Sequence, residues 1–189
     1  MPELQLTAQP LLGGFRTVIG ETELKELAEL AIVSIAIPQH GEEALTSAIA
    51  EAYGASMPPP GESTLSTNGK LRFLWTARDQ LFVLIDEASP NAADDFSEKL
   101  AGMAYTTQQT DNWITLRLAG NKAREALERI CPIDLHPSVF PQGRVARTVM
   151  EHMGVIILHE RANTFLLLSA SSTANSFVHA VETSLQNVS

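Results

Sequence analysis

The stretch LAIVSIAIPQHGEEALTSAIAEAYG, Leu30–Gly54, decides how the rest of the chain is read. Its first part, LAIVSIAIP, is apolar and β-branched and is closed by Pro38. It has the length of a buried strand rather than a helix. The second part changes period. Ala44, Leu45, Ala48, Ile49 and Ala52 recur at three- and four-residue steps, predicting a helix with those residues on its inner face. Glu42 and Glu43 sit where the helix dipole favours carboxylates, and Gly54 supplies a stop. A buried strand feeding an amphipathic helix opens a mixed unit of strands and helices.

Outward from that unit, MPPPGESTLSTNG (residues 57–69) has no hydrophobic period and reads as an exposed loop. LRFLWT and LFVLID, separated by ARDQ, read as a hairpin. A second helix is expected on Ala93, Phe96, Leu100 and Met103, with Asp94 and Asp95 in its first turn. The order to this point is β-α-β-β-α. The second half reads similarly, with WITLRLAG as a strand, Asn121 to Cys131 as a helix, and RVARTVM, VIILHE and TFLLLSA as strands. The closing helix has Ser172 as a cap and Ala174, Phe177, Val178, Val181 and Leu185 as its stripe. The expected fold is α+β, built from duplicated β-α-β-β-α units of the split β-α-β kind. The expected divisions are an N-terminal extension (1–29), a first repeat (30–110) and a second repeat (111–189).

Charge and composition narrow the function classes. A net charge of −9 argues against nucleic acid or an anionic membrane as partner. The charge is uneven, with 6 basic and 15 acidic residues in 1–110 but 7 of each in 111–189. One cysteine makes no internal disulfide, and MPELQLTAQPLLGG lacks a basic region followed by a long apolar run, so a cytoplasmic setting is expected.

The richest segment for chemistry is CPIDLHPSVFPQGRVART, Cys131–Thr148. Cys131 falls on the same helix face as Leu127, at a C-terminus where the dipole disfavours a thiolate, so a core role is favoured over a nucleophile. Asp134 and His136, two apart, would form a carboxylate-oriented imidazole or, as favoured here, tie down neighbouring backbone between Pro132, Pro137 and Pro141. Arg144 and Arg147 are placed together on the following strand, to grip a carboxylate or form a solvated face. His40, His136, His152, His159 and His179 are scattered without metal-ligand spacing, and Gly13-Gly14 and Gly61 lie outside any phosphate-binding frame. No catalytic, cofactor-binding or metal-ligating residue is assigned in this chain.

The same segment carries a family resemblance. QQTDNWITLRLAGNKAREALERICPIDLHPSVFPQGRVARTVMEHMGVIILHE (Gln108–Glu160) and TFLLLSASSTANSFVHAV (Thr164–Val181), with AIVSIAIPQHGEEAL and LWTARDQLFVL in support, resemble the gamma subunit of heterotetrameric sarcosine oxidase. The resemblance implies a fold related to the folate-binding part of the glycine-cleavage T protein. It implies assembly with alpha, beta and delta subunits, the alpha subunit being the direct contact, in a complex that oxidises sarcosine. It also implies that FAD, FMN, NAD and tetrahydrofolate reside in the partner subunits and that gamma holds none of them. Phe140 would be an apolar anchor beside Arg144 and Arg147 on a rigid surface for the large subunit. The small subunit of an N-methylglutamate dehydrogenase-type complex is an alternative. A free-standing folate-dependent enzyme is disfavoured, because the chain has no room for a third domain and no K-G-C-Y-x-G-Q motif around Cys131. A subunit of this kind is expected to expose apolar surface, more in the charge-balanced C-terminal half, or to self-associate when isolated.

Overall fold

A computed structural model describes residues 9–189. The first strands are β1 (Arg16–Ile19), β2 (Thr22–Glu26) and β3 (Ala31–Ala36), followed by helix α1 (Glu42–Tyr53). Then come β4 (Ser63–Leu65), β5 (Leu71–Ala77), β6 (Gln80–Ile85), α2 (Ala92–Lys99) and β7 (Tyr105–Gln108). The remainder is β8 (Trp113–Ala119), α3 (Ala123–Glu128), β9 (Val145–Met150), β10 (Met153–Arg161), β11 (Thr164–Ala170) and α4 (Ala174–Gln186).

All strand pairs are antiparallel and fall into two sheets, ordered β4-β5-β6-β3-β7 and β1-β2-β8-β11-β10-β9. Within the first, β3 and β5 run the same way with β6 between them. Within the second, β8 and β10 run the same way with β11 between them. Each sheet therefore contains the split β-α-β relation, with β4 or β9 added as a hairpin strand.

The side-chain pattern explains why the sheets stack. Ile32, Leu74, Phe82 and Leu84 of one sheet meet Val145, Ile156, Leu158, Leu166 and Leu168 of the other in a single buried cluster. Opposite faces of the same strands pack against helices. Val33, Ile35, Phe73, Leu81 and Val83 meet Leu45, Ile49 and Phe96, while Ile114, Leu116, Val155, Ile157 and Leu167 meet Leu127, Phe177, Val181 and Leu185. The layers run helix, sheet, sheet, helix. Strands buried on both faces need continuous apolar sequence, which is why AIVSIA and VIIL do not alternate.

Several expectations change. The stretch read as an N-terminal extension supplies β1 and β2, which add to the edge of β8 through Leu24↔Leu118; residues 1–8 lie outside the described residues. The 57–69 loop contains β4, and it seams the two sheets at one corner. Ser63 N donates to Gly143 O at 2.8 Å, Val145 N to Gly61 O at 2.8 Å, and Glu62 bridges Arg144. The second helix ends at Lys99, because Ala101 and Gly102 take positive φ, and this leaves Met103 exposed and frees Tyr105–Gln108 to pair with β3 as β7. On α1 only Leu45 and Ile49 are buried; Ala44 and Ala52 face outward. At α4 the N-cap is Thr173, not Ser172, and the expected stripe from Ala174 to Leu185 is buried.

Candidate functional site

The Cys131–Thr148 segment leaves α3 and is laced onto β10. Cys131 continues the helical bonding, donating from its backbone to Leu127 O at 2.8 Å, and its side chain is buried. Burial pushes its thiol pKa up, against smaller opposing contributions from the Ile133 backbone and the Thr148 side chain. Asp134 Oδ1 accepts the His136 N–H at 2.8 Å, and His136 Nδ1 lies 2.7 Å from Ser138 Oγ. Both side chains are exposed and spend their polar atoms within the turn. Leu135 and Phe140 turn inward as buried pegs. Phe140 is thus a core residue, and its expected role as a surface anchor is corrected: Pro132, Pro137 and Pro141 stay exposed while Leu135 and Phe140 fill the space beneath.

Arg144 and Arg147 are separated by the structure. Three residues apart on an extended chain, they face opposite sides. Arg144 Nη1 meets Glu62 Oε1 at 3.4 Å in the seam, whereas the Arg147 guanidinium lies over Trp113, 5.9 Å from the ring centroid. They do not form a joint grip.

Two polar groupings were not read from the sequence. His159, 7 % exposed, stacks on Phe165 with 4.7 Å between centroids and lies parallel to Phe140 at 6.5 Å. Its Nδ1 is 2.8 Å from Phe140 O. It lines a cavity of about 270 Å³ together with Arg124, Leu135, Pro141, Asn163 and Phe165. The signal was present, since His159 keeps step with Val155 and Ile157, which face α3 and α4. The second grouping lies at one end of the space between the sheets. Arg117 Nη2 meets Glu160 Oε1 at 2.8 Å, and Glu160 also opposes Arg72, whose pKa is lowered chiefly by burial. Arg117 Nε and Glu160 Oε2 are buried without partners among the described residues.

Gly13 donates to Pro10 O at 3.1 Å in a turn, and the backbone around it serves the chain's own carboxylate. Glu26 accepts the N–H groups of Leu12 (3.1 Å), Gly14 (2.8 Å) and Phe15 (3.3 Å). No group of three or more His, Cys, Asp or Glu side chains among the described residues is arranged to hold a metal ion. No helix there is long and apolar enough to cross a membrane.

Uncovered apolar surface lies mainly at strand edges, on Val18 (β1), Leu65 (β4), Tyr105 (β7) and Val149 (β9), with Leu11, Met103 and Val139 in loops. Five of these seven belong to residues 1–110, which corrects the expectation that the balanced C-terminal half would contribute more. Charge balance there reflects ion pairs such as Arg117–Glu160 and Lys122–Glu125, not an uncharged face. Between α1 and α2, Ala44, Ala48, Ala52, Leu100, Ala101 and Met103 line a groove of about 680 Å³ that also carries Ser47, Glu51 and Lys99.

The family model "Sarcosine oxidase, gamma subunit family" matches residues 38–186. The chain belongs to the sarcosine oxidase gamma subunit family. Its curated relatives include the sarcosine oxidase subunit gamma of Corynebacterium sp. (strain P-1), 25 % identical over 161 residues that cover 85 % of this chain and 78 % of that one. The sarcosine oxidase subunit gamma of an Arthrobacter species is 27 % identical over 140 residues, 73 % of this chain and 67 % of that one. Among solved structures, a chain of heterotetrameric sarcosine oxidase from Corynebacterium sp. U-96 in complex with pyrrole 2-carboxylate matches with a TM-score of 0.77 at 24 % identity. The match covers 90 % of this chain and 88 % of that one. The glycine cleavage system aminomethyltransferase T from Bartonella henselae matches with a TM-score of 0.58 at 12 % identity, over 85 % of this chain and 45 % of that one. This gamma-family chain therefore has the sarcosine oxidase gamma fold, and part of the T protein shares it.

Proposed function

We propose that the chain is a non-catalytic subunit of a heterotetrameric sarcosine oxidase, supporting assembly of a complex that demethylates sarcosine to glycine and passes the one-carbon unit to tetrahydrofolate. Its direct partner is the alpha subunit, with beta and delta in the same assembly, and FAD, FMN, NAD and folate are held by those partners in the cytoplasm. The two halves are read as repeats, a view supported by the matching strand orders β4-β5-β6-β3 and β9-β10-β11-β8.

The observation that carries the assembly role is the apolar surface left uncovered on Met103, 43 % exposed in the α1–α2 groove, and on Tyr105, 73 % exposed on the edge strand β7. Interface cores are depleted in charged residues, and the groove's mostly small and apolar lining carries two, Glu51 and Lys99. Met103→Glu and Ala44→Arg test the reading, since both sites are exposed and their replacement leaves folding intact. Co-expressed with the large subunits, the variants are expected to drop out of the purified assembly at unchanged thermal stability. Full retention of both variants would remove the groove from the interface.

A further inference from the structure

We propose that the cavity beside His159 is a binding site for a small planar molecule carrying an N–H or O–H donor. Four separate pieces of the chain build it: Arg124 from α3, Leu135, Pro137, Pro141 and Gln142 from the loop after α3, His159 from β10, and Ala162, Asn163 and Phe165 from the β10–β11 turn and β11. The walls are mostly apolar, as small-molecule sites are, with a few polar groups that fix orientation. About 270 Å³ is room for one bicyclic ring.

The hydrogen-bonding sense of the site follows from one contact. A backbone carbonyl only accepts, so His159 Nδ1, 2.8 Å from Phe140 O, carries the hydrogen of that bond. In the neutral tautomer that this contact selects, the remaining nitrogen, Nε2, is an acceptor, and the only ring hydrogen bond among the described residues is the one from Nδ1. The ring is fixed by stacking on Phe165 and by that carbonyl, so the acceptor is preorganised. The occupant must bring the donor. The flat proline faces of Pro137 and Pro141 favour a planar ring, and Arg124, whose ion-pair partner among the described residues is Glu128 at 3.6 Å with both side chains over 40 % exposed, can turn to a carbonyl or carboxylate on the same molecule.

Indole is the probe, with 1-methylindole as the control that lacks the donor. Equilibrium dialysis is run on the full chain alone and on the chain assembled with its large subunits, each compared with Ala162→Trp. Ala162 lies in the exposed β10–β11 turn, so a large side chain there closes the cavity without entering the core. The wild type is expected to bind one indole per chain saturably, with affinity at least tenfold weaker in Ala162→Trp and several-fold to tenfold weaker for 1-methylindole. That difference between wild type and variant is expected to persist in the assembly. Absence of saturable binding, or equal binding of the two indoles, overturns the proposal. A difference present in the free chain but lost in the assembly also overturns it, because a partner side chain then fills the cavity.

Discussion

Replacing Glu160 with glutamine removes one charge and almost no volume, and the structure says what that costs. Glu160 meets Arg117 at 2.8 Å with side-chain exposures of 13 % and 24 %, and it is the carboxylate that opposes Arg72 across the sheets. A fully buried pair broken on one side costs ~3–5 kcal/mol, because the remaining charge stays desolvated; an exposed pair costs ~0–1 kcal/mol. With partial solvent access and two cations left facing each other, about 2–3 kcal/mol is expected for Glu160→Gln. For a chain of this size that lowers Tm by about 4–12 °C at ~2–4 °C per kcal/mol. Urea denaturation followed by circular dichroism gives the free energy directly, and Lys70→Met, which removes an exposed pair at 3.7 Å, should stay within ~0.5 kcal/mol of wild type. Arg117→Met added to Glu160→Gln should recover part of the loss, since it removes one uncompensated cation. A Glu160→Gln protein as stable as wild type would refute the view that this carboxylate joins the two sheets electrostatically.

Further expectations concern the core, the turns and the thiol. Phe140→Ala should cost ~3–5 kcal/mol in denaturant and Phe140→Asp should fail to fold, whereas a surface role would leave both as stable as wild type. Gly120 has φ +144°, and a Cβ there would approach Glu21 O within 2.5 Å, so Gly120→Ala should lose at least ~2 kcal/mol; Gly69→Ala, with φ +70° and open space, should lose only ~1–2 kcal/mol. Cys131 should resist iodoacetamide in the folded chain and react once the chain is unfolded. Because burial raises its pKa, its contribution to stability is intact below the ordinary thiol range and declines as pH rises through it. Cys131→Ala should leave sarcosine oxidation by an assembled complex near normal, and loss of turnover with assembly intact would make the thiol chemical.

What could be read in the sequence follows from how strongly each segment depends on burial. AIVSIA and VIILHE lie between two packed layers, so their composition declared them strands, and the Phe177, Val181 and Leu185 stripe declared α4. The short strands RTVI, STL and YTTQ sit at or next to sheet edges, where polar and apolar residues mix and only pairing with a neighbour defines them. The 57–69 segment shows the same limit, since its order comes from backbone bonds to Gly143 and Val145 about 80 positions away. Among the candidate site residues, Cys131 could be placed in the core from its helical phase. Phe140 could not, because its burial is set by a proline-braced turn with no period. His159 was within reach from its alternation with Ile157, but its cavity depends on α3, the loop after it and the β10–β11 turn coming together.

The central claim is that this gamma-family chain acts through assembly. Its most direct test is native mass spectrometry of the chain co-expressed with candidate alpha, beta and delta subunits, combined with sarcosine oxidation measured on the same fractions. The account predicts one copy of this chain in a flavin-containing heterotetramer that carries all of the activity, with none in the chain alone. A chain that never enters a flavin-containing assembly, or that oxidises sarcosine by itself, would contradict it.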